Sequence, residues 1–205
     1  MENVNIVFCI DKDCKSEFLD FIANYTGSFI SSILCFLKTR NCYVKSIRLK
    51  YLEFDITKET SLKEKSDENK FDKIYSNDKI SVESINHFNY VASTDYESCN
   101  PLQVIFTANF SGWDEPIDKN IRSRKIIVVY SKREYLYVDD NMMDKLADAW
   151  HDSHLKSKRL ILYTPDKSPW NAISDFFSNV IHIPLKDFVL GANLESLIRV
   201  MLSSI

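Results

Sequence analysis

NIVFCIDKDCKS, the stretch from Asn5 to Ser16, decides how this chain folds. The apolar run from Ile6 to Ile10 predicts a strand that is buried on both faces, because five consecutive apolar residues leave no polar side for solvent. The run ends in two carboxylates, Asp11 and Asp13. A buried parallel strand delivers the residues after it to the carboxyl edge of the sheet, where open α/β sheets bind ligands. We therefore expect the functional site to begin at Asp11.

The rest of the chain alternates strand-like and helix-like segments. Further strands are predicted at 46–55, 73–76, 125–130, 159–163 and 180–183, and helices at 16–38, 81–90, 101–110, 142–150 and 193–203. Ser168-Pro169 is predicted to open another short helix, which carries Trp170, Ile173 and Phe176. This alternation predicts an α/β fold, a three-layer Rossmann-like sandwich whose mostly parallel six-stranded sheet has helices on both faces. The polar segment 57–73 is predicted to be a flexible loop within a single domain, 1–205. The loops after strands one and four are expected near the topological switch point.

Composition limits the class of protein. The 205 residues are 45% hydrophobic and 27% charged, which is ordinary for one globular domain. A net charge of -3 does not favour nonspecific binding to nucleic acid. No apolar stretch approaches the roughly 18 residues that span a bilayer, and the start MENVNIV does not resemble a signal peptide. We expect a cytoplasmic protein that binds neither nucleic acid nor membrane.

Cysteine usage argues against a structural role for sulfur. The chain has five cysteines, an odd number, and none forms a C-x-x-C pair, so neither a disulfide framework nor a cysteine zinc site is favoured. Cys9 and Cys35 lie in apolar runs and are expected in the core. Cys14 is expected to be exposed in the loop beside Asp11. A reactive role for Cys14 is not favoured, because no histidine lies near it in the sequence.

Four segments resemble bacterial von Willebrand factor A (VWA) domain proteins, in particular a group whose chain is essentially one such domain. The first strand of that family usually ends in D-A-T-G-S-M, where this chain has FCIDKDCKS, and the second resembles SIRLKYLEFDI. STDYESCNPLQVIFTANF resembles a family segment in which G-G-D-E-P-E-S precedes a helix. The longest similar stretch is LADAWHDSHLKSKRLILYTPDKSPWNAISDFFSNVIHIPL. The resemblance covers nearly all of the chain apart from the polar loop and implies the VWA fold.

The resemblance also implies a place for a divalent ion at the top of the sheet. In the family a D-x-[ST]-x-S loop supplies an aspartate and two hydroxyls, and oxygens from two further loops complete a hard, oxygen-rich site. Asp11 keeps the first position here. Asp13 and Lys15 stand where the two hydroxyls are expected. Thr94 or Asp95 would supply the oxygen of the second loop.

The loop after the fourth strand departs from the family as well. Ser131-Lys132 stands where the family has T-D. An ammonium group donates hydrogen bonds and accepts none, and two of them would repel a divalent ion. We therefore hypothesise that Lys15 and Lys132 replace the metal and neutralise Asp11 and Asp13. No cofactor is then expected. The alternative is that the lysines turn to solvent and that the aspartates bind magnesium weakly, together with Asp95.

These features predict a non-enzymatic protein–protein interaction module with a degenerate metal site. The expected ligand is another protein rather than a small-molecule substrate. It would meet the top edge through Lys15, Lys132, Arg133 and Tyr135, which favours an acidic partner segment if the lysines are not already paired with the aspartates. The family resemblance implies that the partners belong to bacterial stress, tellurite-resistance or defence systems.

An enzyme is the alternative function. Asp11-Lys12-Asp13 after an apolar strand also fits the D-x-D start of haloacid-dehalogenase-like, magnesium-dependent phosphatases, with Asp11 as nucleophile and Asp13 as general acid/base. The further groups that such a phosphatase would use are the Ser131 hydroxyl, Lys132 or Lys15 for phosphate, and the acidic pair Asp139-Asp140. These strings are short, and the rest of the chain gives them no support.

Histidines and aromatic residues complete the candidates. His151 and His154 have H-x-x-H spacing, but no acid or cysteine cluster accompanies them, so a structural role is favoured over a metal site. Core positions are expected for Trp150, Trp170, Phe176 and Phe177. Trp113, Tyr135 and Tyr137 lie in predicted loops, where they either pack the loop down or form a protein-binding hot spot.

Overall fold

The computed structural model describes residues 2–18, 39, 44–54, 73–76, 101–110, 120, 122–134, 140–151, 158–167, 170–185, 196, 199–201 and 203. Within these residues the strands are β1 (Glu2–Asp11), β2 (Val44–Phe54), β3 (Lys73–Ser76), β4 (Arg122–Tyr130), β5 (Lys158–Thr164) and β6 (Val180–Pro184). The helices bounded at both ends are α1 (Pro101–Phe110), α2 (Asp140–His151) and α3 (Trp170–Phe176). The prediction of an α/β fold with parallel strands and helices is confirmed.

The described strands form one sheet in the order β3-β2-β1-β4-β5-β6. All neighbouring pairs are parallel except β2 and β3, which are antiparallel. The short strand β3 lies at one edge of this sheet. The chain runs from β1 to β2 on one side and returns to β4 on the other side of β1. The carboxyl ends of β1 and β4 are therefore adjacent at the topological switch point, which confirms the expected position of these two loops.

Apolar packing is present on both faces of the sheet. On one face, Val7 and Cys9 of β1 belong to a buried cluster that includes residues of α1, α2 and α3. On the other face, the ring of Phe8 lies 5.3 Å from that of Phe18, and Phe18 lies 5.9 Å from Tyr130. This two-sided burial explains why β1 and β4 each contain a continuous apolar run, at 6–10 and 126–130, rather than an alternating pattern.

Two predictions about individual side chains are wrong. Cys14 is only 1% exposed, because the 3₁₀ turn Lys12–Cys14 turns its side chain inward beneath the end of β1. Phe176 is 45% exposed and so is not a core residue. Helix α3 is short, and its buried face is already occupied by Trp170 and Ile173, with Phe177 buried just after the helix ends.

Several predictions lie outside the described residues. They concern most of the helix at 16–38, almost all of the polar loop at 57–73, the helix at 81–90, and Cys35, Trp113, Tyr137 and His154. Residues 15–18 and 199–201 are helical, as expected of the predicted helices to which they belong. Among the described helices, none is both long and apolar enough to cross a membrane.

Candidate functional site

Asp11 is the centre of the candidate site. It ends β1, and its carboxylate is completely buried. One carboxylate oxygen, Oδ1, accepts a hydrogen bond from the backbone N–H of Asp13 at 3.2 Å and so caps the turn that follows. The other oxygen, Oδ2, accepts from the Ser131 hydroxyl at 2.7 Å and from Nε of Arg133 at 3.1 Å. The two loops predicted to meet at the switch point are thus joined through one carboxylate.

The loop after β4 is held in place by its neighbours. Ser131 donates its backbone N–H to the Tyr163 carbonyl at 3.2 Å, and its hydroxyl accepts the backbone N–H of Arg133 at 3.2 Å. The buried indole of Trp170 donates to the Arg133 carbonyl at 2.9 Å. β5 and α3 both bind this loop. The backbone of Arg133 is therefore held in place independently of the contact between its side chain and Asp11.

Arg133 contacts both aspartates of the site. Its guanidinium donates through Nε to the buried Asp11 and through Nη2 to Asp13. The Arg133 side chain is 25% exposed and that of Asp13 is 64% exposed. The guanidinium therefore bridges a buried carboxylate and a solvated one at the surface of the sheet edge.

The contacts of Lys132 differ from those that the hypothesis gave it. The ion pair that the structure shows for Lys132 is with Glu17, on the helical residues that follow the Asp11 turn. Lys15 is half-buried on the same helical segment. The hypothesis that Lys132 neutralises Asp11 and Asp13 therefore needs correction, because Arg133 makes those contacts.

Burial dominates the electrostatics of Asp11. Removal from water raises the pKa of its carboxyl above the ordinary value, and the nearby Asp13 charge acts in the same direction. The hydrogen bonds from Ser131 and Asp13 and the positive charge of Arg133 act in the opposite direction. The charge of Arg133 and the hydrogen bonds from Ser131 and Asp13 thus compensate only part of the cost of burying the Asp11 carboxylate. Cys14 lies beneath the same edge, and burial raises the pKa of its thiol to about 11.

The divalent ion that the family resemblance implies does not fit this arrangement. Both lone pairs of Asp11 Oδ2 are in use, because this oxygen accepts from Ser131 and from Arg133, while Oδ1 and the Ser131 oxygen each accept one backbone N–H. A guanidinium also lies against both carboxylates. In the described part of the chain, no group of three or more His, Cys, Asp or Glu side chains is placed to hold a metal ion.

The same geometry bears on the phosphatase alternative. A nucleophilic carboxylate must reach the phosphorus atom with an unshared oxygen lone pair. The Asp11 carboxylate is fully buried, and its Oδ2 already accepts from Ser131 and Arg133. Asp140 begins α2, whereas Asp139 lies outside the described residues. The contacts of Asp11 fit a structural ion pair better than a nucleophile.

The other predicted site residues, Thr94, Asp95 and Tyr135, lie outside the described residues. Sequence reasoning missed the indole of Trp170 and the carboxylate of Glu17 as parts of this edge. The prediction that Trp170 is a core residue is confirmed, because its ring is buried. Its indole N–H also donates to the Arg133 carbonyl, which the sequence analysis does not predict. A buried tryptophan usually needs a hydrogen-bond acceptor for its N–H, so the expected burial of Trp170 could have indicated a contact of this kind.

A second buried polar group lies at the opposite edge, where β5 begins. Lys158 is only 5% exposed, and its ammonium donates to Oδ1 of Asn109 at 2.5 Å and to the Trp150 carbonyl at 3.4 Å. The ammonium also lies 4.3 Å from the centre of the Trp150 ring. The pKa of Lys158 is lowered to about 8 by burial. Lys158 thus ties α1 and α2 to the sheet, away from the candidate site.

Comparison with known proteins does not extend this assignment. No protein-family model matches the chain, and no curated protein matches it. The site is therefore interpreted from its own residues and contacts.

Proposed function

We propose that this chain is a non-enzymatic VWA-like module that binds another protein at the carboxyl edge of its sheet, without a metal ion. The observation that carries the proposal is the contact of one guanidinium, that of Arg133, with both Asp11 and Asp13 at the switch point. This is the edge where open α/β sheets bind their ligands. In the described residues it offers a preformed arrangement of charges around the Asp11 carboxylate, which is completely buried.

The proposed architecture is a three-layer VWA-like sandwich with a six-stranded, mostly parallel sheet. The sheet order and the antiparallel edge strand β3 support it. So does apolar packing on both faces of β1, because a strand that is buried on both faces needs a layer on each side. The VWA resemblance of the sequence is the basis for the family name.

The proposed partner surface is formed by Lys15, Lys132, Arg133 and Tyr135. A guanidinium has five N–H groups, and the contacts within the described residues use two of those of Arg133. The others are available to a carboxylate of the partner, because the side chain is partly exposed. The unused N–H groups of Arg133 therefore support an acidic partner segment over a basic one.

The proposed setting is the cytoplasm of a bacterium. The VWA resemblance supports a role in a stress, tellurite-resistance or defence system, in which the module would hold together other components. We propose no small-molecule substrate, no nucleic acid and no cofactor for this edge.

The proposal is tested by quantitative affinity capture from cells of the source organism. The variant Lys15→Glu/Lys132→Glu reverses two charges of the proposed partner surface and leaves Arg133 in place to hold Asp11. We expect its capture of the native partner to fall by about tenfold, which corresponds to about 1.4 kcal/mol. Lys145→Glu, on an exposed position of α2, is the matched control and should capture normally. Equal capture by all three proteins would place the interface elsewhere.

A further inference from the structure

The structure assigns to Arg133 the place that a divalent ion has in a metal-dependent adhesion site: a fixed cation that contacts the carboxylates of both Asp11 and Asp13, with the Ser131 hydroxyl bound to the same Asp11 oxygen. The assignment deepens the proposed function, since it explains how the edge would work without metal. It is tested on the purified protein alone, so failure to find a partner and failure of this inference are separate results.

The first support is convergence of oxygens on one cation. Asp11 and Asp13 come from the loop after β1, and Ser131 comes from the loop after β4. The guanidinium contacts both carboxylates, and the Ser131 hydroxyl lies 2.7 Å from the same Asp11 oxygen that accepts from Arg133 Nε. A planar guanidinium can serve two carboxylates at once, which a lysine ammonium does with less defined geometry.

The second support is burial of the charge that the cation serves. A carboxylate without solvent exposure, such as that of Asp11, needs a counter-charge and hydrogen bonds to remain ionised. Arg133 is the cation whose side chain contacts Asp11, whereas the neighbouring Lys132 is paired with Glu17. Removal of Arg133 would therefore leave a buried carboxylate without its ion-pair partner.

The third support is that the cation is held in place. The Arg133 backbone donates to the Ser131 hydroxyl and accepts from the Trp170 indole. The backbone of Arg133 is thus held by Ser131 and Trp170, and its side chain is held by its contact with Asp11. A cation held on both sides behaves as a permanent part of the site, whereas a metal ion exchanges with solvent.

A consequence follows for the site without the arginine. The oxygens of Asp11, Asp13 and Ser131 are hard ligands of the kind that Mg²⁺ and Mn²⁺ prefer. With the guanidinium gone, the lone pairs that it occupies on Oδ2 of Asp11 and Oδ2 of Asp13 would be open, and its positive charge would no longer repel an ion. Arg133→Met should therefore convert an edge that ignores divalent ions into one that binds them.

The experiment compares melting temperatures of metal-stripped proteins in EDTA and in millimolar Mn²⁺ or Mg²⁺. We expect the wild type to melt at the same temperature in both. Arg133→Met should melt lower than the wild type in EDTA and recover when Mn²⁺ is added. An ion at about 100 times its Kd raises the Tm of a chain of this size by about 5–10 °C. If the variant is unfolded in EDTA, the same recovery is measured as refolding by circular dichroism.

Two further variants test whether the response to metal depends on the charges of Asp11 and Arg133. Asp11→Asn/Arg133→Met removes both charges, and it should melt above Arg133→Met in EDTA and show no response to Mn²⁺. Lys132→Met is the matched control for loss of a neighbouring cation, and it should behave as the wild type does towards metal. The inference is overturned if the wild type responds to Mn²⁺, if Arg133→Met does not, or if the double variant still responds.

Discussion

Lys158 gives a prediction whose size follows directly from the structure. Its ammonium is buried against Asn109 and the Trp150 carbonyl, and among the described residues no carboxylate contacts it. Its pKa is lowered from the ordinary 10.5 to about 8 by burial. Between these two values the unfolded chain binds more protons than the folded one, so the free energy of unfolding must rise with pH.

The difference between a pKa of 10.5 and one of about 8 corresponds to about 3 kcal/mol, at about 1.36 kcal/mol per pH unit. About 2 kcal/mol of this falls between pH 8 and pH 10. Above pH 10 the effect is opposed by Tyr130 and Tyr163, because burial raises the pKa of both phenols above 10.0 and stability is lost as the unfolded phenols ionise. The measurement is therefore confined to pH 7–10.

The assay is urea unfolding of the wild type and of Lys158→Met at steps of half a pH unit. The free energy of unfolding of the wild type should rise relative to that of the variant by about 2 kcal/mol from pH 8 to pH 10. The absolute stability at pH 7 is less informative. The variant loses the cost of burying a charge, but it also loses the hydrogen bonds that the ammonium donates to Asn109 and to the Trp150 carbonyl. Lys145→Met, at an exposed position, is the control. Parallel curves for wild type and Lys158→Met would refute the reasoning.

Three further predictions concern the candidate site. Trp170→Phe removes the indole hydrogen bond to Arg133 and should lower the free energy of unfolding by about 1–2 kcal/mol in urea titrations, and an unchanged value would show that this bond does not hold the loop. The buried thiol of Cys14 should resist iodoacetamide at pH 8 in the native protein and react after unfolding, as read by mass spectrometry; rapid native labelling would contradict its burial. Hydrolysis of p-nitrophenyl phosphate with Mg²⁺ should be the same background for wild type and Asp11→Asn, whereas activity lost in the variant would restore the phosphatase hypothesis.

The central strands are predictable because the signal for each of them, a run of apolar residues, lies within its own segment of the sequence. Continuous apolar runs at 6–10 and 126–130 identify strands that are buried on both faces, and the structure places both in the centre of the sheet. The ends were not predictable. β1 begins at Glu2 because Asn3 and Asn5 are also buried, and Asn5 donates to the Ser123 hydroxyl at 3.1 Å. A polar side chain whose partner is 118 residues away has no signature in its own segment.

The meeting of Asp11 and Ser131 was predictable from sheet topology, since both residues follow parallel strands at the switch point. The choice of cation was not. Lys132 and Arg133 are consecutive, and which of them faces Asp11 depends on the path of the loop. That path is fixed in part by the Trp170 indole, 37 residues further along the chain. Long-range hydrogen bonds of this kind cannot be read from local pattern.

A crystal structure grown in millimolar Mn²⁺, with anomalous diffraction collected at the manganese edge, tests the central claim most directly. We expect the Arg133 guanidinium to contact Asp11 and Asp13, and we expect no anomalous peak within coordination distance of either carboxylate. A manganese peak bound to Asp11, with the Arg133 side chain turned away from it, would contradict the assignment of Arg133 as the resident cation of this edge.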